Sequence, residues 1–106
     1  MTAAEGKFFV GQIVEHKRFG YRGVVYDVDP SFMLSERWYD TVALSRPPKN
    51  QPWYHVLVDE SEQVTYVAER NLRASQARPG PVRHPLIYTH FERFSGGKYE
   101  VLLRPN

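Results

Sequence analysis

Histidine and carboxylate are the side chains in this sequence best suited to chemistry, and their spacing decides how far that chemistry goes. The histidines are His16, His55, His84 and His90. None makes the His-x₃-His or His-Glu-x-x-His pairing that sets two imidazoles on one helical face for a zinc ion, and on a helix His84 and His90 would point to different faces. A metal site assembled across strands from His16, His55 and an acid such as Asp27 is open, although a hydrogen-bonded strand histidine is the commoner outcome. Asp27 and Asp29 lie two apart at a strand end and point the same way, which could hold a cation or serve as acid and base, but Asp29 before Pro30 is read as a turn cap. Glu60 and Glu62 read as a solvated hairpin tip. There is no Gly-x-Ser-x-Gly elbow, no phosphate loop and no cysteine, so serine-hydrolase, P-loop, disulfide and thiolate chemistry are all outside the expectation. The residues nominate no catalytic group, no cofactor and no metal, and the expected protein is not an enzyme.

Binding chemistry has more material. Lys17, Arg18 and Arg22 surround Phe19 and Tyr21, and cations interleaved with rings pair with phosphates and stack on bases. Lys17, Arg18, Tyr21 and Arg22 are therefore the nucleic-acid candidates, against the alternative that the rings are core and the cations its solvated rim. Trp38, Tyr39, Trp53, Tyr54 and His55 are the candidates for a protein-partner surface, against the alternative that such large rings fill a small core. Net charge is only +2, yet residues 59–69 hold four acids and no base, whereas residues 70–106 hold seven Lys or Arg against two Glu. Such unevenness suits an anionic partner or two distinct protein surfaces.

The elements that must position these groups are mostly strands. Thirteen of 106 residues are Tyr or Phe, a bias toward sheet, and the length suits one domain with one core. Trp53 to Asp59 carries bulky side chains on both alternating faces, the mark of a central strand packed on two sides. Ile13 to His16 reads as a first strand after a Gly11-Gln12 turn, and Val24 to Val28 as a second, stopped by Asp29-Pro30. Gly20 and Gly23 predict a tight loop and then a bulge or a close backbone approach where the second strand begins. Ser31 to Asn50 is irregular, with a helical turn at Ser35 to Tyr39 capped by Ser35, and its length marks it as a partner-binding surface. Val64 to Ala68 returns as a hairpin partner after Glu60 to Gln63, and Glu69 to Leu72 resembles the 3₁₀ turn that closes small barrels.

The expected fold is thus mainly β: a small SH3-like, partly open barrel over residues 8–74, with a long loop and a C-terminal helix-strand extension. Residues 75–83 are a linker rich in proline and glycine. Residues 84–106 are a helix from His84 to Phe94, stopped by Ser95-Gly96-Gly97, and a strand from Tyr99 to Leu103, packing on the barrel or on a neighbouring subunit. No apolar run has the length of a signal peptide or a membrane span, so a soluble, cytoplasmic protein without a membrane partner is expected.

Four motifs occur in series between Val10 and Leu72: Gly11-Gln12-x-Val14-x-His16; Phe19-Gly20-Tyr21-Arg22-Gly23-Val24-Val25-x-Asp27-x-Asp29-Pro30; Gln51-Pro52-Trp53-Tyr54-His55-Val56; and Thr65-Tyr66-Val67-Ala68-Glu69-x-Asn71-Leu72. Together they resemble the heat shock HspQ family, also called YccV-like or hemimethylated-DNA-binding. The resemblance implies a non-enzymatic cytoplasmic β-barrel of the stress response, homo-oligomeric and plausibly trimeric. It implies two activities. One is specificity enhancement of Lon-protease degradation within protein quality control, with Lon and its substrates as partners. The other is binding of hemimethylated DNA, which on its own would make the chain a regulator of replication initiation with no part in proteolysis. Related domains fused to F-box and Clp-adaptor proteins favour, by analogy, a protein-binding role. The basic C-terminal third departs from the acidic tail of the enterobacterial member.

Overall fold

The structure is a computed structural model that describes residues 6–76 and 80–102. Five strands form one antiparallel sheet: β1 (Ile13–His16), β2 (Arg22–Asp29), β3 (Trp53–Val58), β4 (Val64–Ala68) and β5 (Leu72–Ala74). Their order is β4-β3-β2-β1-β5, so the sheet curls into an unclosed barrel whose two free edges are β4 and β5. A helix, α1 (Glu36–Val42), lies in the long loop before β3, and a 3₁₀ turn (Glu69–Asn71) joins β4 to β5. The last described elements are a single helical turn, α2 (Ile87–His90), and a two-stranded hairpin, β6 (Phe91–Ser95) and β7 (Lys98–Val101).

Strand β3 is interior, paired on both sides, and its two faces feed different cores. Tyr54 and Val56 point into the barrel, where they meet Val14, Val25, Val67 and Leu72. Trp53 and Leu57 point outward and are covered by separate parts of the chain: Trp53 by Tyr39 and Ala43 of the α1 region, Leu57 by Val82, Ile87, Phe91 and Tyr99 of the C-terminal segment. Covering both faces explains why the strand carries no polar alternation. Gly23 is required where β2 crosses β3, because a Cβ there would collide with the Leu57 carbonyl. Gly20, at φ +76°, closes the β1–β2 turn and donates its N–H to the His16 carbonyl at 2.8 Å.

Several expectations change. The helix expected from His84 to Phe94 is only the four residues of α2, and Phe91 to Ser95 is a strand. A register shift between Phe91 and Arg93 resets the alternation, so Phe91 and Phe94 pack on the same core at a spacing of three, the spacing that reads as helical in sequence. Gly96 and Gly97, both at positive φ, form the hairpin turn rather than a helix stop. The final strand begins at Lys98 and ends at Val101; Leu103 lies outside the described residues. It meets the barrel at one bridge, Gln12 to Lys98, and pairs otherwise with β6. Strand β5 had no sequence counterpart. Within the 75–83 segment residues 77–79 lie outside the described residues, while Ser75 and Val82 on either side are buried. Ser35 does cap α1, accepting from the Trp38 N–H at 3.1 Å, but the helix runs on to Val42. Among the described residues no helix is long and apolar enough to cross a membrane.

Candidate recognition groove

A concavity of about 950 Å³ runs along the free edge of β4. Its floor is Val64 to Ala68. One wall comes from the β1–β2 turn, with His16, Phe19 and Tyr21, and the other from the α1 region, with Leu34, Trp38, Val42 and Leu44. The walls are apolar and open to solvent: Phe19 is 71% exposed, Val42 54% and Leu44 77%. An apolar surface this continuous on a small domain is uncommon unless something binds there.

The Phe19 wall is built from the turn upward. His16 is buried, and its Nδ1 accepts the N–H groups of Arg18 and Phe19, both at 3.1 Å. That bond pattern needs the neutral imidazole with its proton on Nε2. Burial, reinforced by the positive charge of Arg18, holds the His16 pKa below its ordinary value. The Phe19 ring stacks on His16 at 4.7 Å between centroids, and the Arg18 guanidinium lies 5.8 Å above Phe19. Tyr21 is tied across the barrel opening to Thr65 of β4, with 2.8 Å between their hydroxyl oxygens, and burial raises its pKa.

The opposite wall rests on an aromatic cluster. Phe32, Trp38, Trp53 and Tyr66 lie with ring centroids 5.0–6.1 Å apart, Trp53 and Tyr66 stacked at 5.2 Å. Tyr39 is buried beside them and donates its hydroxyl to the Pro47 carbonyl at 2.6 Å. Of the aromatic partner-surface candidates, Tyr39, Trp53 and Tyr54 are therefore core, while Trp38 and His55 stay half-buried and both line the groove. Tyr54 donates its hydroxyl to Glu69, and burial with that carboxylate drives its pKa well above the usual tyrosine range. His55 sits in the seam between the two outer covers, its Nε2 3.0 Å from Asp29 Oδ2.

The basic candidates separate in the same way. Lys17 and Arg18 are exposed beside Phe19. Arg22 is turned inward: its guanidinium pairs with Asp59 at 3.3 Å and donates to the Gly80 carbonyl, which ties the C-terminal segment to the barrel. Asp29 is not a turn cap. One oxygen of its carboxylate accepts from Tyr66 at 2.7 Å and lies against His55. Among the described residues, Asp27, Asp29 and His55 each bring a ligand atom within 4.8 Å of the others, and His16 is not part of that group. Asp29 is thus engaged by two neighbours, His55 and Tyr66, while Asp27 Oδ1 accepts the Val28 N–H at 2.9 Å.

Sequence reasoning named the loop from Ser31 to Asn50 but chose its aromatics over Leu34, Val42 and Leu44. A recurrence of aliphatic residues in a loop ended by prolines was the available signal for them. Phe19 was recognised only as a ring among cations.

Comparison with known proteins matches this architecture to one family. The sequence model described as hemimethylated DNA-binding protein YccV like covers residues 6–98. F-box only protein 21 of Homo sapiens and of Pongo abelii is 33% identical over 94 residues, and that of Mus musculus 32%, the match spanning 87% of this chain. The chain corresponds to only 15% of the length of these relatives.

Proposed function

Because the chain belongs to the YccV-like family, we propose that it is a non-enzymatic binding module that recognises protein segments and steers them to degradation, enhancing the specificity of a Lon-type protease. The observation that carries this reading is the solvent-open apolar groove between Phe19 and Leu44. A groove of that chemistry suits the apolar segments that unfolded clients expose. The F-box relatives carry the same domain within much longer chains, which fits a module reused for recognition. The stress response, the cytoplasm and assembly into a homo-oligomer, a trimer, belong to the same proposal, and sedimentation checks the last. The test is degradation of a Lon substrate with and without the protein; faster turnover of a subset of substrates is expected. Unchanged turnover of every substrate, with no capture of Lon or substrate, would overturn it.

The family description favours a second reading, binding of hemimethylated DNA, and the observation on its side is the exposed pair Lys17 and Arg18 beside Phe19. A phosphate-led complex must weaken steeply as salt rises. Mobility shifts with hemimethylated, fully methylated and unmethylated duplexes test it, and equal affinity for all three removes the specific claim.

A further inference from the structure

We infer that the free edge of β4 accepts an extended segment of a partner protein as an added strand, one that is apolar at alternate positions and carries an acidic residue to meet Arg18. The inference rests on the protein-recognition reading above and names how the groove binds.

The first argument is the direction of the β4 backbone. Val58 donates its N–H to the Gln63 carbonyl at 3.0 Å and Glu69 donates to the Pro52 carbonyl at 3.0 Å. In an antiparallel pair hydrogen-bonded positions alternate, so with this register Thr65 and Val67 also bond inward to β3. Val64 and Tyr66 then aim their N–H and carbonyl groups away from the sheet, along the floor of the groove. Among the described residues no strand pairs with that side.

The second argument compares the two edges. Exposed edges are ordinarily blunted by brevity, charge, proline or a bulge. β5 follows that rule, with three residues and an exposed Arg73. β4 does not: Val-Thr-Tyr-Val-Ala is longer, uncharged and free of proline, and its pairing with β3 is regular. An edge left sticky beside an apolar groove is the arrangement of strand-addition sites.

The third argument is the walls. Side chains of an added strand would point alternately toward apolar Leu34 and Trp38 on one side and, on the other, toward the mixed wall of Arg18, Phe19 and the hydrogen-bonded Tyr21 and Thr65 hydroxyls. Arg18 is the formally charged side chain on the lining, and no carboxylate lines it among the described residues, so charge complementarity selects an acidic rather than a basic segment.

A labelled peptide of alternating valine and threonine that begins with aspartate is the probe, with its scrambled sequence, valines contiguous, as control. Fluorescence anisotropy is read for the wild type, for Val64→Pro, and for the pair Phe19→Ser and Leu44→Ser. The Val64 N–H points away from β3, so proline there removes an edge donor without breaking the internal ladder, and an unchanged circular dichroism spectrum and melting temperature verify this. Preference for the alternating peptide, with affinity lowered at least about tenfold by Val64→Pro, is expected, together with slowed amide exchange at Val64 and Tyr66 on binding. Wild-type affinity in Val64→Pro, with loss in the Phe19→Ser, Leu44→Ser pair, overturns strand addition and leaves the recognition groove standing. Equal affinity in every variant removes the groove as well. Should Val64→Pro instead abolish self-association in sedimentation, or a hemimethylated duplex displace the peptide, the edge belongs to a second copy or to nucleic acid and the inference fails.

Discussion

The outer face of the sheet under the C-terminal segment and the edge of β4 were built from similar apolar side chains, and only one of them is covered. Over Ile13, Val24 and Leu57 the chain lays down Val82, Ile87, Phe91 and Tyr99, and it fastens them with polar locks. Arg22 reaches Asp59 and the Gly80 carbonyl, Asp59 accepts the Arg83 N–H at 2.7 Å, and the Tyr99 hydroxyl closes on the backbone of Val82. Along β4, by contrast, Phe19, Val42 and Leu44 remain open. Burial is bought on one side with dedicated chain, whereas among the described residues Phe19, Val42 and Leu44 carry no such cover, and theirs is the side proposed above for a partner.

The comparison breaks hardest at Phe91. Phe91→Ala removes a ring that is 1% exposed at the centre of the covered core, and a loss of about 3–5 kcal/mol, read by urea unfolding, is expected. Asp59→Ala should cost less, about 2–3 kcal/mol, because Arg22 loses its partner in a mostly buried setting and the Arg83 N–H loses its acceptor. If either substitution behaves like an exposed one, the covered side is not a core.

A smaller effect sharpens the open side. His16 has a folded pKa below its unfolded value, so it binds protons less readily when folded. Its contribution is complete above the unfolded pKa, near pH 6.5, and declines as pH falls through the folded pKa. Protonating Nδ1 also breaks the bonds that hold the Phe19 wall. Melting temperature should therefore drop on mild acidification, and His16→Asn, which keeps an acceptor but cannot titrate, should flatten that part of the profile. Least of all for stability, Leu44→Ser should change unfolding free energy by no more than about 0.5 kcal/mol, since the side chain is 77% exposed. Its effect is expected in peptide capture instead. A large stability loss there would mean that the groove wall is structural.

How much of this was legible depended on whether the signal was local. β1, β4 and the 3₁₀ turn followed from alternation and turn chemistry within a few residues, and Ser35 announced α1 because a cap is a local hydrogen bond. β6 was hidden because its bulge gives Phe91 and Phe94 a helical spacing, and β5 because three residues carry no period. At the site, the bulk of Trp53 and Tyr54 correctly predicted a doubly packed strand, but the same bulk made them poor surface candidates. Arg18 and Arg22 look alike in sequence; Asp59, distant in the chain, is what turns the second inward. No local pattern says which strand will end a sheet, and the groove is a property of that ending.

The Arg22 lock also bears on the order of events in folding. Its contact with Gly80 joins positions 58 residues apart, and the Asp59 to Arg83 contact spans 24, whereas the β3–β4 hairpin closes locally. Contacts that close long loops late in the reaction leave the transition state without them. Weakening the lock should therefore quicken unfolding while refolding keeps its rate, so that the C-terminal segment governs how long the folded barrel lasts rather than how fast it is reached.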